Sequence, residues 1–155
     1  MQRREFIQSG TGAAALGLAA AGGWLPAHAA DAPGWNRNAF SARSLADVVK
    51  ALGGGQAAES KDVSFLQAPE IAENGASVRF AVQSNVPGTS QLALVVEKNP
   101  FALAALFDIP PGTDAQITTH LKMQESSNVY ALVRSGDKFY YAVKNVTVTL
   151  GGCAS

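Results

Sequence analysis

From Ser60 to the end of the chain, apolar side chains recur at every second position in short runs broken by turn signals, and that period suits β-strands and not helices. The runs Val63 to Leu66, Ser77 to Gln83, Gln91 to Lys98, Ala115 to Gln124, Asn128 to Ser135, Lys138 to Lys144 and Val146 to Leu150 are predicted strands. Glu73-Asn74-Gly75, Val86-Pro87-Gly88, Ile109-Pro110-Pro111-Gly112 and Ser135-Gly136-Asp137 supply the glycine or proline that a tight reversal needs. Ile117, Thr119, Leu121 and Met123 fall on one face and Thr118, His120 and Lys122 on the other, as in a sheet with one wet side; Val129, Ala131 and Val133 repeat the pattern. The spacing predicts a mainly β sandwich. In the last run Val146, Val148 and Leu150 alternate with Thr147 and Thr149, so core burial is expected to pin the chain as far as Leu150.

One helix precedes the strands. Ser44 can cap it, and Leu45, Val48, Val49 and Leu52 fall at i, i+3, i+4 and i+7, an apolar stripe that stops at Gly53-Gly54-Gly55. Phe40 extends that face by a turn if the helix begins earlier.

The first 29 residues have the parts of an export signal: Arg3 and Arg4 with Phe6 behind them, a weakly apolar Ala/Gly/Leu stretch from Gly10 to Leu25, and Ala27-His28-Ala29 as a small-residue cleavage site. The twin arginine points to the Tat route and hence to a bacterial periplasm. The stretch is too short and too weakly apolar for a spanning helix, which needs about 20 strongly apolar residues. Cleavage would take two arginines and one glutamate from twelve basic and twelve acidic residues, leaving a net charge near -1 and no basic run. Nucleic acid and anionic membrane are therefore not expected partners. The division that follows is a signal over 1–29, one domain over 30–150 and a tail over 151–155.

That tail carries the chain's single cysteine, in Leu150-Gly151-Gly152-Cys153-Ala154-Ser155. In an oxidising compartment an unpaired thiol either joins two chains or has its reactivity used. Gly151 and Gly152 impose no side-chain restraint on its direction and read as a hinge. Three extended residues beyond Leu150 reach about 10 Å, enough to enter a channel in another protein. No catalytic residue is identified around Cys153. A thiol–imidazole enzyme needs a histidine, and only His28 and His120 exist, the first leaving with the signal and the second on the wet face of a strand. No metal cluster or nucleotide fingerprint is present in the sequence, and no cofactor is expected. The nearby C-terminal carboxylate disfavours thiolate, so partners must supply the activation. Phe101 and Phe107, in the apolar stretch from Glu97 to Phe107, read by default as core and are candidate partner-interface residues if exposed.

Four pieces carry a resemblance: Ala68-Pro69-Glu70-Ile71-Ala72-Glu73-Asn74-Gly75, Glu97-Lys98-Asn99-Pro100, Leu121-Lys122-Met123, and Val146 to Cys153 with its Gly-Gly-Cys end. In this order, behind a twin-arginine signal, they resemble the SoxY family, the sulfur-carrier subunit of periplasmic thiosulfate oxidation. The resemblance implies an immunoglobulin-like sandwich, paired with a SoxZ-like β-sandwich subunit as a heterodimer, and no turnover of its own. It implies that Cys153 is the covalent sulfur attachment point and Gly151 and Gly152 the arm hinge. A SoxAX-type cytochrome would load the cysteine, a SoxB-type hydrolase would release sulfate, and in many systems a sulfane dehydrogenase would oxidise what remains. The family usually ends Gly-Gly-Cys-Gly-Gly, whereas Ala154-Ser155 follow the cysteine here and thicken the tail.

Two other classes stay open on the residues alone. A binding or assembly module would use Cys153 only for an intermolecular disulfide, giving a linked homodimer. A stand-alone thiol oxidoreductase would turn over a thiol or disulfide substrate unaided.

Overall fold

The computed structural model describes residues 36–151. The expected signal, and Gly152 and Cys153 of the tail, lie outside the described residues. The helix expected from Ser44 forms as α2 (Leu45–Ala51), with the Ser44 hydroxyl accepting from the Asp47 N–H at 3.1 Å. Phe40 does not extend it. It ends a separate four-residue turn of helix, α1 (Arg37–Phe40), capped by Asn36, whose side chain accepts from Ala39 and donates to the Ala51 carbonyl at 2.9 Å, tying the two helices together. Gly53 stops α2 with φ of +88°, and Gly54 lies where a Cβ would run into the Phe139 ring and Val49.

Nine strands follow among the described residues. They are β1 (Ala57–Glu59), β2 (Val63–Gln67), β3 (Ile71–Ala72), β4 (Val78–Ser84), β5 (Thr89–Val96), β6 (Leu103–Asp108), β7 (Gln116–Leu121), β8 (Ser127–Ser135) and β9 (Lys138–Val148). The larger sheet runs β1-β9-β8-β5-β6, with β3 also pairing β9; the smaller runs β2-β4-β7. All pairings are antiparallel except β1 and β3, which add to β9 in parallel. The turn at Gly136 closes the β8–β9 hairpin with φ of +58°, bringing Ser135 opposite Lys138.

The layers explain the alternation. Phe80, Val82, Leu92, Leu94, Val129, Ala131, Val133 and Val146 fill the space between the sheets, with Phe65 tilted against Phe80 at 6.3 Å between ring centroids. Ile117, Thr119, Leu121 and Met123 point inward from the smaller sheet while His120 faces solvent, as its period predicts. The larger sheet has no fully wet face. Ala93, Val95, Leu132 and Phe139 pack against Ala39, Val48, Val49 and Leu52 of the helical layer, so β5 and β8 are covered on both sides. The one-sided pattern read for β8 thus holds only for its sandwich face.

The strand that carries the tail differs from the sequence reading in two respects. It is one eleven-residue strand, not two. Its burial also stops early: Val146 is buried and Val148 half-buried, but Leu150 is 68% exposed. Core burial therefore does not hold the chain at Leu150, which lies two residues beyond the end of β9.

Phe80, fully buried between the sheets, should lose about 3–5 kcal/mol of stability on substitution by alanine. Phe101, 57% exposed, should lose less than about 0.5 kcal/mol. Urea unfolding midpoints of the two variants check this contrast.

Candidate functional site at the base of the C-terminal tail

What holds the end of β9 is hydrogen bonding. β3 lies parallel to it, Ile71 beside Thr147 and Ala72 beside Val148. Thr147 N–H donates to the Glu70 carbonyl at 2.9 Å and Thr149 N–H to the Ala72 carbonyl at 3.0 Å. The Thr149 hydroxyl donates to the Glu73 carbonyl at 2.9 Å, and on the other flank Val148 N–H donates to Ser126 Oγ at 2.8 Å. Gly75 N–H then donates to the Leu150 carbonyl at 2.8 Å. Each bond contributes about 0.5–1.5 kcal/mol, so together they can replace the missing burial.

A second tier supports the first. Gly75 also accepts from Met123 N–H at 2.7 Å. Asn99 clasps the segment after β7 with both ends of its amide: Nδ2 donates to the Lys122 carbonyl at 2.7 Å and Oδ1 accepts from Gln124 N–H at 3.1 Å. The Gln124 carbonyl in turn stands so close to Gly151 that a Cβ there would clash. Asn74 fixes the turn by accepting from Ala76 N–H at 2.9 Å.

The pieces 68–75, 97–100 and 121–123, distant in sequence, therefore meet around residues 147–151. Sequence reasoning singled them out without giving them a role, and missed Ser126, which carries only loop-like polarity, and Gln124, which it placed at the end of a strand that stops at Leu121. Gly151 sits within this clasp. Its lack of a side chain is required by the close approach of Gln124.

Phe101 is exposed in the loop before β6, and Phe107 is half-buried on β6, opposite Leu92. Above this region Glu97 accepts from Asn128 Nδ2 at 2.9 Å, and burial, then the Glu97 charge, push the Tyr130 hydroxyl above its ordinary value. A cleft of about 350 Å³ beside the clasp is lined by Gln67, Ala68, Pro69, Ala72, Glu73, Asn74, Ser77, Val78 and Arg79. Among the described residues no helix is long and apolar enough to cross a membrane.

The fold and site define a class: a small, helix-backed β-sandwich that clasps the root of its own C-terminal tail. A family model described as sulfur oxidation protein SoxY matches residues 49–153, through the tail cysteine. The solved structure of the sulfur carrier protein SoxY from Chlorobium limicola f. thiosulfatophilum is 32% identical with a TM-score of 0.58, over 67% of this chain and 96% of that one. The chain belongs to the SoxY family, and its sandwich is immunoglobulin-like. The human F-spondin reeler domain (9% identity, TM-score 0.40, 61% of this chain and 92% of that one) is too distant to bear on function. No curated protein matches.

Gly151→Ala should push the tail root off Gln124 and expose the Gly75 amide, while Leu150→Ala should leave it protected. Asn99→Ala should loosen the same region by about 1–3 kcal/mol. Amide hydrogen exchange at Gly75, Met123 and Gln124, with Leu132 as an unaffected reference, reads all three.

Proposed function

We propose that this chain is a covalent sulfur carrier of periplasmic thiosulfate oxidation and that Cys153 bears the cargo. The observation that supports the reading most directly is the convergence of three separate family segments on the root of the tail that carries this cysteine. A carrier needs a fixed root and a free end, because the sulfur must leave the body for another protein's catalytic centre and return. The clasp around residues 147–151 supplies the root. With Gly151 against Gln124, Gly152 is the proposed pivot and Gly151 its anchored neighbour.

The chemistry balances without a catalytic group on this chain. The Cys153 thiolate and thiosulfate join through a new S–S bond, and two electrons pass to a haem cytochrome of the SoxAX type. Water then attacks the terminal sulfone in a SoxB-type hydrolase, releasing sulfate and two protons and leaving a persulfide on Cys153. A sulfane dehydrogenase would oxidise that sulfur further, and thiol exchange connects the states. A SoxZ-like sandwich is the proposed companion subunit, with Tat export placing the complex in the periplasm. Ala154-Ser155 make the tip bulkier than the usual pair of glycines, so these partners must have entrances wide enough for two extra β-carbons.

Intact mass of protein taken without reductant from thiosulfate-grown cells should show sulfonate and sulfane adducts confined to the peptide containing Cys153. Cys153→Ser should show none and should not support thiosulfate oxidation. A wild-type chain carrying only free thiol, or only a plain disulfide-linked homodimer, would overturn the carrier reading.

A further inference from the structure

Asn74 and Gly75 form the only Asn-Gly pair in the chain. Pairs of this kind rearrange unaided, because the backbone nitrogen of the second residue lies within reach of the asparagine amide carbon and glycine puts no side chain in the way. Elsewhere in the sandwich the following residue opposes it. Asn85, Asn128 and Asn145 precede valine, and Asn99, whose amide also serves the clasp, precedes Pro100, which has no N–H to give up.

The two reacting groups of the pair are held in opposite conditions. Asn74 is exposed on the rim of the cleft beside the clasp, and its Oδ1 accepts from Ala76 N–H at 2.9 Å. A donor on that oxygen stabilises the negative charge that builds there when the amide carbon is attacked. Gly75 is buried, and its N–H is committed to the Leu150 carbonyl at 2.8 Å. A nitrogen must shed that proton before its electron pair can attack. The electrophile is thus prepared while the nucleophile is locked, and the lock is the root of the tail.

We infer that Asn74 is a self-modification site controlled by the tail root: when Leu150 releases Gly75, Asn74 cyclises and passes to an aspartyl or isoaspartyl residue. Solvent takes the Gly75 proton, the freed nitrogen bonds to Asn74 Cγ, and the side-chain nitrogen leaves with a proton as ammonia. Water then opens the succinimide at either carbonyl. One water enters and one ammonia departs, with no change of oxidation state. Opening toward isoaspartate adds a carbon to the main chain between residues 74 and 75. The Gly75 N–H then falls out of register with Leu150, as does the Gly75 carbonyl with Met123 N–H, and either product sets a carboxylate beside Glu73. A reversible loosening of the root is thereby made permanent. This chemistry needs no thiol and does not rest on the carrier reading.

Peptide mapping by mass, after the reduced chain is held in mildly alkaline buffer, reads the conversion as OH in place of NH2 at residue 74, and chromatography separates the two products. Gly151→Ala, whose root is displaced, should convert about two- to tenfold faster than the wild type, the factor by which one lost hydrogen bond shifts a local opening. Asn85, Asn128 and Asn145 in the same digests should stay unchanged. The purified isoaspartyl chain should have lost amide protection at Gly75 and Met123. Should Gly151→Ala fold poorly, the wild type in urea below its unfolding transition should convert at Asn74 in proportion to amide exchange at Gly75. Equal rates in the two chains, conversion that does not follow Gly75 exchange, or an isoaspartyl chain still protected at Gly75 would each overturn the inference. Adduct formation at Cys153 is read on a different peptide, so failure of one proposal leaves the other standing.

Discussion

Two residues of parallel sheet, Ile71 and Ala72, hold the end of β9 at the margin of the hydrophobic core. Backbone groups at the end of a strand, where it passes out of the core, need other partners. The segment from Glu70 to Gly75 provides them on one flank and Ser126 on the other. A side chain such as Leu150 can then face solvent without the chain coming loose. The rest of the arrangement follows from this. Met123 and Asn99 support Gly75 and Gln124, and these support the two residues nearest the tail.

Behind the clasp stands a sheet that cannot easily bend. β5 and β8 are covered by the smaller sheet on one side and by α1 and α2 on the other, so a displacement of either disturbs two cores at once. β9 pairs with β8 along nine positions and inherits that stiffness. The helical layer, which the sequence shows only as an apolar stripe, closes the outer face of β5 and β8, so these middle strands are buried on both sides.

The helix from Ser44, the turns at Gly88, Gly112 and Gly136 and the inward face of β7 were legible in the sequence, because each rests on neighbours within a few positions. The parts that were not legible depend on distant ones. β3 exists only because residues 147 and 148 lie beside it, and β1 because 139–141 do. The strand β6 was not assigned because Leu-Ala-Ala-Leu-Phe has no period of two, and an unbroken apolar run does not separate a buried strand from a buried helix. Asn145, a poor strand former, split β9 in the sequence reading, though its side chain donates to Asn128 at 2.9 Å across the hairpin. At the site, the resemblance located the right segments, but only the fold shows that Asn99 and Gly75 act on the tail's root. Gly151 read as half of a hinge because glycine licenses both freedom and close approach, and the sequence alone does not distinguish them.

The contact between Gly151 and the Gln124 carbonyl also sets a measuring point. Counted from there, two extended residues span about 7 Å, roughly a third less than a tail counted from Leu150. On the carrier role proposed above, a catalyst that receives sulfur from Cys153 on so short a lead could not keep the body at a distance. Its entrance would have to fit closely over this end of the sandwich, and the surface around Leu150 and Asn74 would then be as much a part of the docking geometry as the cysteine itself.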